Sequence, residues 1–278
     1  MGKKMKKQVQ TIAMLMLLIL VSACNNDGSG SANSAATKFD TSKPDGALMA
    51  SIQALKQNDI KALMQASMSE AEFNKAVAEF EKAKMSPSES DKAQFAQMMT
   101  MLTGSGAEDQ LMAMATPQLE QMRAQLPMLL MMGKGMASSS IQSNANIPAE
   151  QKENITKIAN SLMDFVSEND ILSEEVTRKA ISAAVQTAKD LNMKSLDELQ
   201  NMSYDDAMAK ASIVLGGTKN ILSAYGISFD DLLSSVNVSD VVENGDSAKM
   251  KLAYEFLGES FKQDIEMVKQ DGKWVGKK

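Results

Sequence analysis

Three kinds of side chain in this sequence could do chemistry: one thiol, a run of thioethers and a few paired carboxylates. Cys24 is the only cysteine in 278 residues, and it stands just past the apolar run TIAMLMLLILV, Thr11 to Val21. Ten of the 24 methionines fall between Met98 and Met136: Met98, Met99, Met101, Met112, Met114, Met122, Met128, Met131, Met132 and Met136. Thioethers are soft donors that suit Cu(I), and Met112-Ala113-Met114 and Met128-x-x-Met131 are clustered spacings. Asp205-Asp206 and Asp230-Asp231 are paired carboxylates, the residue type for acid–base work or metal binding. Histidine is absent. That removes the usual general base of serine and cysteine hydrolases and the commonest zinc ligand. No serine is framed as in a nucleophile elbow. GGTKN, Gly216 to Asn220, lacks the spacing and the preceding strand of a phosphate loop.

The methionine stretch has three readings. The foremost is a helical core, since methionine favours helices and fills irregular gaps, and Leu111, Leu119, Leu126, Leu129 and Leu130 sit among the thioethers as core residues would. The second is a soft apolar surface that repacks around partners, with LPMLLMMGKGM, Leu126 to Met136, as a mobile flap. On that reading the binding residues are Met112, Met114, Met128, Met131, Met132 and Met136. The third is a cuprous site. The aspartate pairs have a simpler role: each falls in the first turn of an expected helix, where negative charge complements the dipole.

The thiol is explained by what surrounds it. Lys3, Lys4, Lys6 and Lys7 precede the apolar run, and Ser22 and Ala23 follow it. A charged region, an apolar region and small residues make a secretory signal. The run is about half the ~20 apolar residues that a spanning helix needs. VSAC, Val21 to Cys24, resembles the lipobox of bacterial lipoproteins, with Val21 where leucine is usual. The resemblance implies cleavage before Cys24 and covalent diacylglycerol and N-acyl lipid on that residue, with no other cofactor. Asn25 after the cysteine implies sorting to the outer membrane, facing the periplasm. Several acyl chains give stable attachment where one is marginal.

Residues 1–23 are thus expected as signal peptide and 24–44 as a flexible tether, because NNDGSGSANSAATKFDTSK from Asn25 is too poor in apolar residues to order itself. Loss of the signal removes four lysines and no acid, taking the formal charge from −6 to −10. An acidic body argues against nucleic acid as a partner. With Cys24 acylated, no disulfide is left to form, so the core must carry stability unaided.

Residues 45–235 read as a helical domain. Ser69 with Glu72, Ser86 with Glu89, and Ser195 with Glu198 fit the capping box. Ser203 with Asp206 and Ser228 with Asp231 are shorter versions, and Pro87, Pro117 and Pro148 suit a first helical turn. LMASIQALKQNDIKALMQA, Leu48 to Ala66, reads as one opening helix. Phe73, Val77 and Phe80 form an apolar stripe, as do Ile155, Ile158, Leu162 and Phe165. Val176, Ala180, Ala184 and Ala188 form a third, thin enough for close packing. GSGAED from Gly104 parts two helices, and ASSSIQSNANIP, Ala137 to Pro148, reads as a polar connector.

The period changes after Ser235. Met250, Leu252, Tyr254 and Phe256 alternate with Lys249, Lys251, Ala253 and Glu255, which is a strand with one buried face. Asn244-Gly245, Gly258 to Ser260 and Asp271-Gly272 supply turns. Residues 236–278 therefore predict a four-stranded antiparallel meander that needs helices over its apolar face. The fold class is mainly α with a C-terminal four-stranded antiparallel β-meander (α+β). The ending MVKQDGKWVG, with the opening helix, is similar to small lipoproteins of the nuclear-transport-factor-like, cystatin-like α+β fold. In those, helices lie on a curved sheet whose last strand ends in Asp-Gly-Lys-Trp, matched here by Asp271 to Trp274. Some 150 helical residues between opening helix and sheet depart from that pattern. The expected role is non-catalytic binding of an envelope protein or apolar ligand by a membrane-anchored chain. Cuprous copper binding or envelope-stress protection is the alternative, and a histidine-independent envelope hydrolase a distant one.

Overall fold

A computed structural model describes residues 39–83, 87–145, 147 and 149–277. The signal, Cys24 and most of the expected tether lie outside them. Nine α-helices are described, followed by a four-stranded antiparallel sheet whose strands pair in chain order: β1 (Asn237–Asn244), β2 (Ser247–Phe256), β3 (Glu259–Gln270) and β4 (Lys273–Gly276). The mainly-α class with a C-terminal meander is therefore observed. No described helix is long and apolar enough to cross a membrane.

Contacts divide the chain into two units. The first comprises the chain up to Ala83 with Val241–Met250 and Ile265–Lys278, and the second comprises Lys84–Asp240 with Lys251–Asp264. Secondary structure changes near residue 235 as expected, but both units take segments from either side of that change.

In the first unit, α1 (Pro44–Lys56), α2 (Ile60–Ser67) and α3 (Glu70–Lys82) accompany β4 (Lys273–Gly276) and the adjoining ends of the other strands. The single opening helix expected from sequence is two. Asn58 takes a positive φ of 58°, and Asp59 caps the next helix by accepting from the Ala62 amide at 2.8 Å. Asparagine tolerates the left-handed region, and aspartate is a strong N-cap, so two adjacent polar residues outweigh the continuous apolar spacing. The end of the expected tether is also ordered. Ser42 donates through its amide and hydroxyl to Asp40 Oδ1, and a Cβ on Gly46 would lie 2.0 Å from the Asp40 carbonyl oxygen. The box at Ser69 forms as expected, with the Glu72 carboxylate accepting from the Ser69 amide at 3.0 Å. α1 and α2 pack on β4. Trp274 is 1 % exposed, and its indole N–H donates to the Ser42 carbonyl at 3.0 Å. β4 pairs with β3 (Glu259–Gln270) with Trp274 opposite Lys269. Asp271 and Gly272 both take positive φ, as a tight turn of this kind requires.

The second unit holds α4 (Glu89–Thr103), α5 (Ala107–Ser143), α6 (Ala149–Glu168), α7 (Glu174–Leu191), α8 (Tyr204–Ala224) and α9 (Phe229–Ser235), with a 3₁₀ turn, Leu196–Gln200, between α7 and α8. Ser195, Ser203 and Ser228 cap as expected. The cap of α4 is Ser88 with Asp91, two residues beyond the expected Ser86 and Glu89, so Pro87 precedes the cap and lies outside the helix. α7 and α8 approach each other closely. A Cβ on Gly217 would lie 2.0 Å from Thr187 Oγ1, so the glycine of GGTKN admits a neighbouring helix. In the hairpin of β2 (Ser247–Phe256) and β3, Tyr254 stacks on Phe261 with ring centres 5.3 Å apart, and Lys157 of α6 lies over Phe261.

Candidate functional site

The methionine stretch forms most of α5, and α5 is longer than expected. It runs through Pro117 and Pro127 and through most of the expected connector, ending at Ser143. Pro117 is therefore interior, not in a first turn. Two prolines at ~3 kcal/mol and Gly133 and Gly135 at ~1 each make this a poor helix by roughly 8 kcal/mol relative to alanine. Packing against α6 and α7 must hold it.

The packed side is legible residue by residue. Leu111, Met112, Ala115, Leu119, Leu126 and Leu130 are buried or half-buried at helical spacing. A Cβ on Gly133 would touch Met163 Sδ of α6 at 3.4 Å. Polar clamps reinforce the seam. Arg123 donates to the Leu172 carbonyl at 2.8 Å, Lys134 pairs with Asp164, Asp109 pairs with Arg178 at 3.0 Å, and Glu108 accepts from Ser182 at 3.1 Å. Of the five charged residues on α5, Glu108, Asp109 and Lys134 engage the neighbouring helices and Arg123 the loop between them, leaving Glu120.

The rest of the helix faces water. Met114, Met122, Met128, Leu129, Met131, Met132 and Met136 are each more than half exposed, and Met131 reaches 81 %. From Ala124 to Ser143 the only charge is Lys134, and its ion pair ties it to α6. Met128, Leu129, Met131, Met132 and Met136 form a neutral apolar face of the kind that marks interaction sites.

The foremost sequence reading, a helical core, is corrected for most of this stretch. Met99 and Met112 are buried, and the six methionines from Met114 to Met136 are not. Of the expected binding set, Met112 is only 4 % exposed, while Met114, Met128, Met131, Met132 and Met136 face water. Met114 lies 14 residues before Met128, ~21 Å along the helix, so only Met128, Met131, Met132 and Met136 form a cluster. Leu129 and Met122 join the exposed face without having been singled out. The signal that would have found Leu129 is the lack of charge between Arg123 and Lys134, and Met122, between Glu120 and Arg123, carries no such signal.

The other candidates are structural. Asp206 accepts from the Ser203 hydroxyl at 2.7 Å, and Asp230 accepts from the buried Lys219 at 2.6 Å. Among the described residues no three His, Cys, Asp or Glu side chains are grouped to hold a metal. A polar cleft of about 550 Å³ is lined by Gln142, Lys152, Thr156, Lys157 and Asp164. Its lysines are engaged, Lys152 with the Gln142 carbonyl at 2.6 Å and Lys157 with Glu259 at 2.8 Å. Burial pushes the Tyr204 phenol up to about 12 and moves the Lys273 ammonium down, in both cases by desolvation. Neither residue adjoins a cavity described here. The chain matches no protein-family model, no curated protein and no solved structure.

Proposed function

We propose that this chain is a lipid-anchored envelope protein that acts as a non-catalytic binding module, presenting the exposed face of α5 to an apolar partner surface. The observation that carries the binding role is the neutral face of five long apolar side chains, Met128, Leu129, Met131, Met132 and Met136, on a helix whose opposite side is packed and clamped. Methionine side chains are unbranched and polarizable, so such a face fits partners of varied shape. The lipobox resemblance at Cys24 supports the anchor and the envelope location. A photoreactive residue in place of Met132 in the anchored chain should give a saturable adduct in cells. The same residue at the polar position Gln186 should not. Equal labelling from both positions would reject the face as the site, and a Cys24→Ser variant would report whether the anchor is needed.

A second reading rests on the spacing of Met128, Met131 and Met132, three thioethers within about one helical turn on the exposed side. That set suits Cu(I). The pair Met112 and Met114 does not, because one of them is buried. Competition with a colorimetric Cu(I) chelator under reducing conditions should be lost in a triple Met→Leu variant at 128, 131 and 132. Unchanged competition would dispose of the copper reading.

A further inference from the structure

We infer that the occupant of the exposed α5 face is α5 of a second copy of this chain, paired antiparallel about a two-fold axis near Met131 and Met132. The inference rests on the binding role proposed above and names its partner.

Charge is the first argument. The whole chain carries a formal −6, so two copies repel over most of their surface. The segment from Ala124 to Ser143 is the place where they do not, because its one charge is held in an ion pair with α6. A charged partner gains nothing from such a face.

Symmetry is the second. Two copies would bring the same neutral surface to each other, as a two-fold contact requires.

The third argument is the pattern of large and small residues. Ala124, Met128, Met131, Gly135 and Ser139 are all exposed and follow one another at three- and four-residue spacing, which is one seam of a helix. Nothing lies within 4 Å of a Cβ placed on Gly135. In an antiparallel pair centred between residues 131 and 132, Met128 of one copy lies level with Gly135 of the other. The long side chain then has an open notch to enter, on both sides of the axis. Met131 of each copy lies level with Met132 of its mate.

The test uses the full chain in cells, with single cysteines introduced along α5 and joined by a short bis-maleimide. That reagent is thiol-specific and spares methionine. Met131→Cys and Met132→Cys should each give a covalent dimer on denaturing gels, and adding Gly135→Lys should lower its yield at least tenfold. Gln118→Cys and Gln142→Cys, both exposed but far from the axis, should give little dimer, and the unsubstituted chain sets the background from Cys24. Absence of dimer at 131 and 132, or equal yield at all four positions, overturns the inference. If dimer is absent while the Met132 photoadduct to another envelope component persists, self-pairing fails and the binding role stands. If both are absent, both fail.

Discussion

Met112 and Met114 stand two residues apart on α5 and face opposite ways: the first is 4 % exposed and the second 58 %. Two residues turn an α-helix by ~200°, so the pair that looks clustered in sequence is divided between core and solvent. The same rotation sorts the rest of the stretch.

Oxidation should read out this division directly. A thioether reacts with a peroxide in proportion to its access. Treatment of the folded chain with hydrogen peroxide, followed by peptide mass spectrometry, should convert Met131 first, then Met136 and Met128. Met112, Met250 and Met267, each 4 % exposed or less, should lag at least tenfold. Uniform conversion across the set would mean that α5 is not packed as described. Sulfoxide formation makes the face polar, so apolar binding should fall in step with oxidation of the exposed group and not of the buried one.

Local signals in the sequence located most elements. Serine caps, Asn-Gly and Asp-Gly turns and the two-residue period of β2 all act over a few residues, and nearly all appear where expected. What the sequence hid was settled by tertiary packing. Pro117 and the serine-rich Ala137–Ser143 are local helix breakers or loop formers, yet α6 and α7 hold them helical. The split at Asn58 failed for the opposite reason: the apolar spacing runs on, and a capping aspartate overrides it. Whether a methionine is core or surface depends on which neighbours cover the helix, and composition does not carry that. The charges on α5 did carry it, since three of the five are spent on α6 and α7 and a fourth, Arg123, on the loop between them.

Trp274 ties the last strand to the chain just before α1, through its buried ring and its bond to the Ser42 carbonyl. Trp274→Phe keeps most of the packing and loses the donor, which should cost about 1 kcal/mol. Trp274→Ala also opens a cavity, and should cost about 3–5 kcal/mol. Urea unfolding measures both. A loss below 1 kcal/mol for the alanine variant would show that β4 contributes little to this unit.

Gly217 illustrates a glycine kept for space. In an exposed helix interior, Gly→Ala gains up to ~1 kcal/mol in propensity. Here the new methyl group would meet Thr187 at 2.0 Å. Gly217→Ala should instead destabilise by about 1–3 kcal/mol, the usual cost of overpacking. Adding Thr187→Gly should recover a large part of that loss, as two residues in contact are not additive. Thermal unfolding of the single and double variants decides it, and a single variant as stable as wild type would show that α7 and α8 can separate at no cost.

Glu266 gives the acid limb of the stability curve a specific contributor. Lys249 donates to one carboxylate oxygen at 2.7 Å and Lys277 to the other at 2.5 Å. These hydrogen bonds, first from Lys249 and then from Lys277, hold the carboxyl down at about 2 against its ordinary 4.5. A folded-state pKa below the unfolded one means that the unfolded chain takes up the proton first as pH falls. The contribution is therefore complete above pH 4.5 and is lost as pH drops toward 2. Because the group is solvent-accessible, the effect should be small and should shrink in high salt. Glu266→Gln should be less stable than wild type near neutrality, with the gap closing between pH 4.5 and 2. Urea midpoints at several pH values measure this, and a gap that stays constant down to pH 2 would show that the two ion pairs contribute nothing through charge.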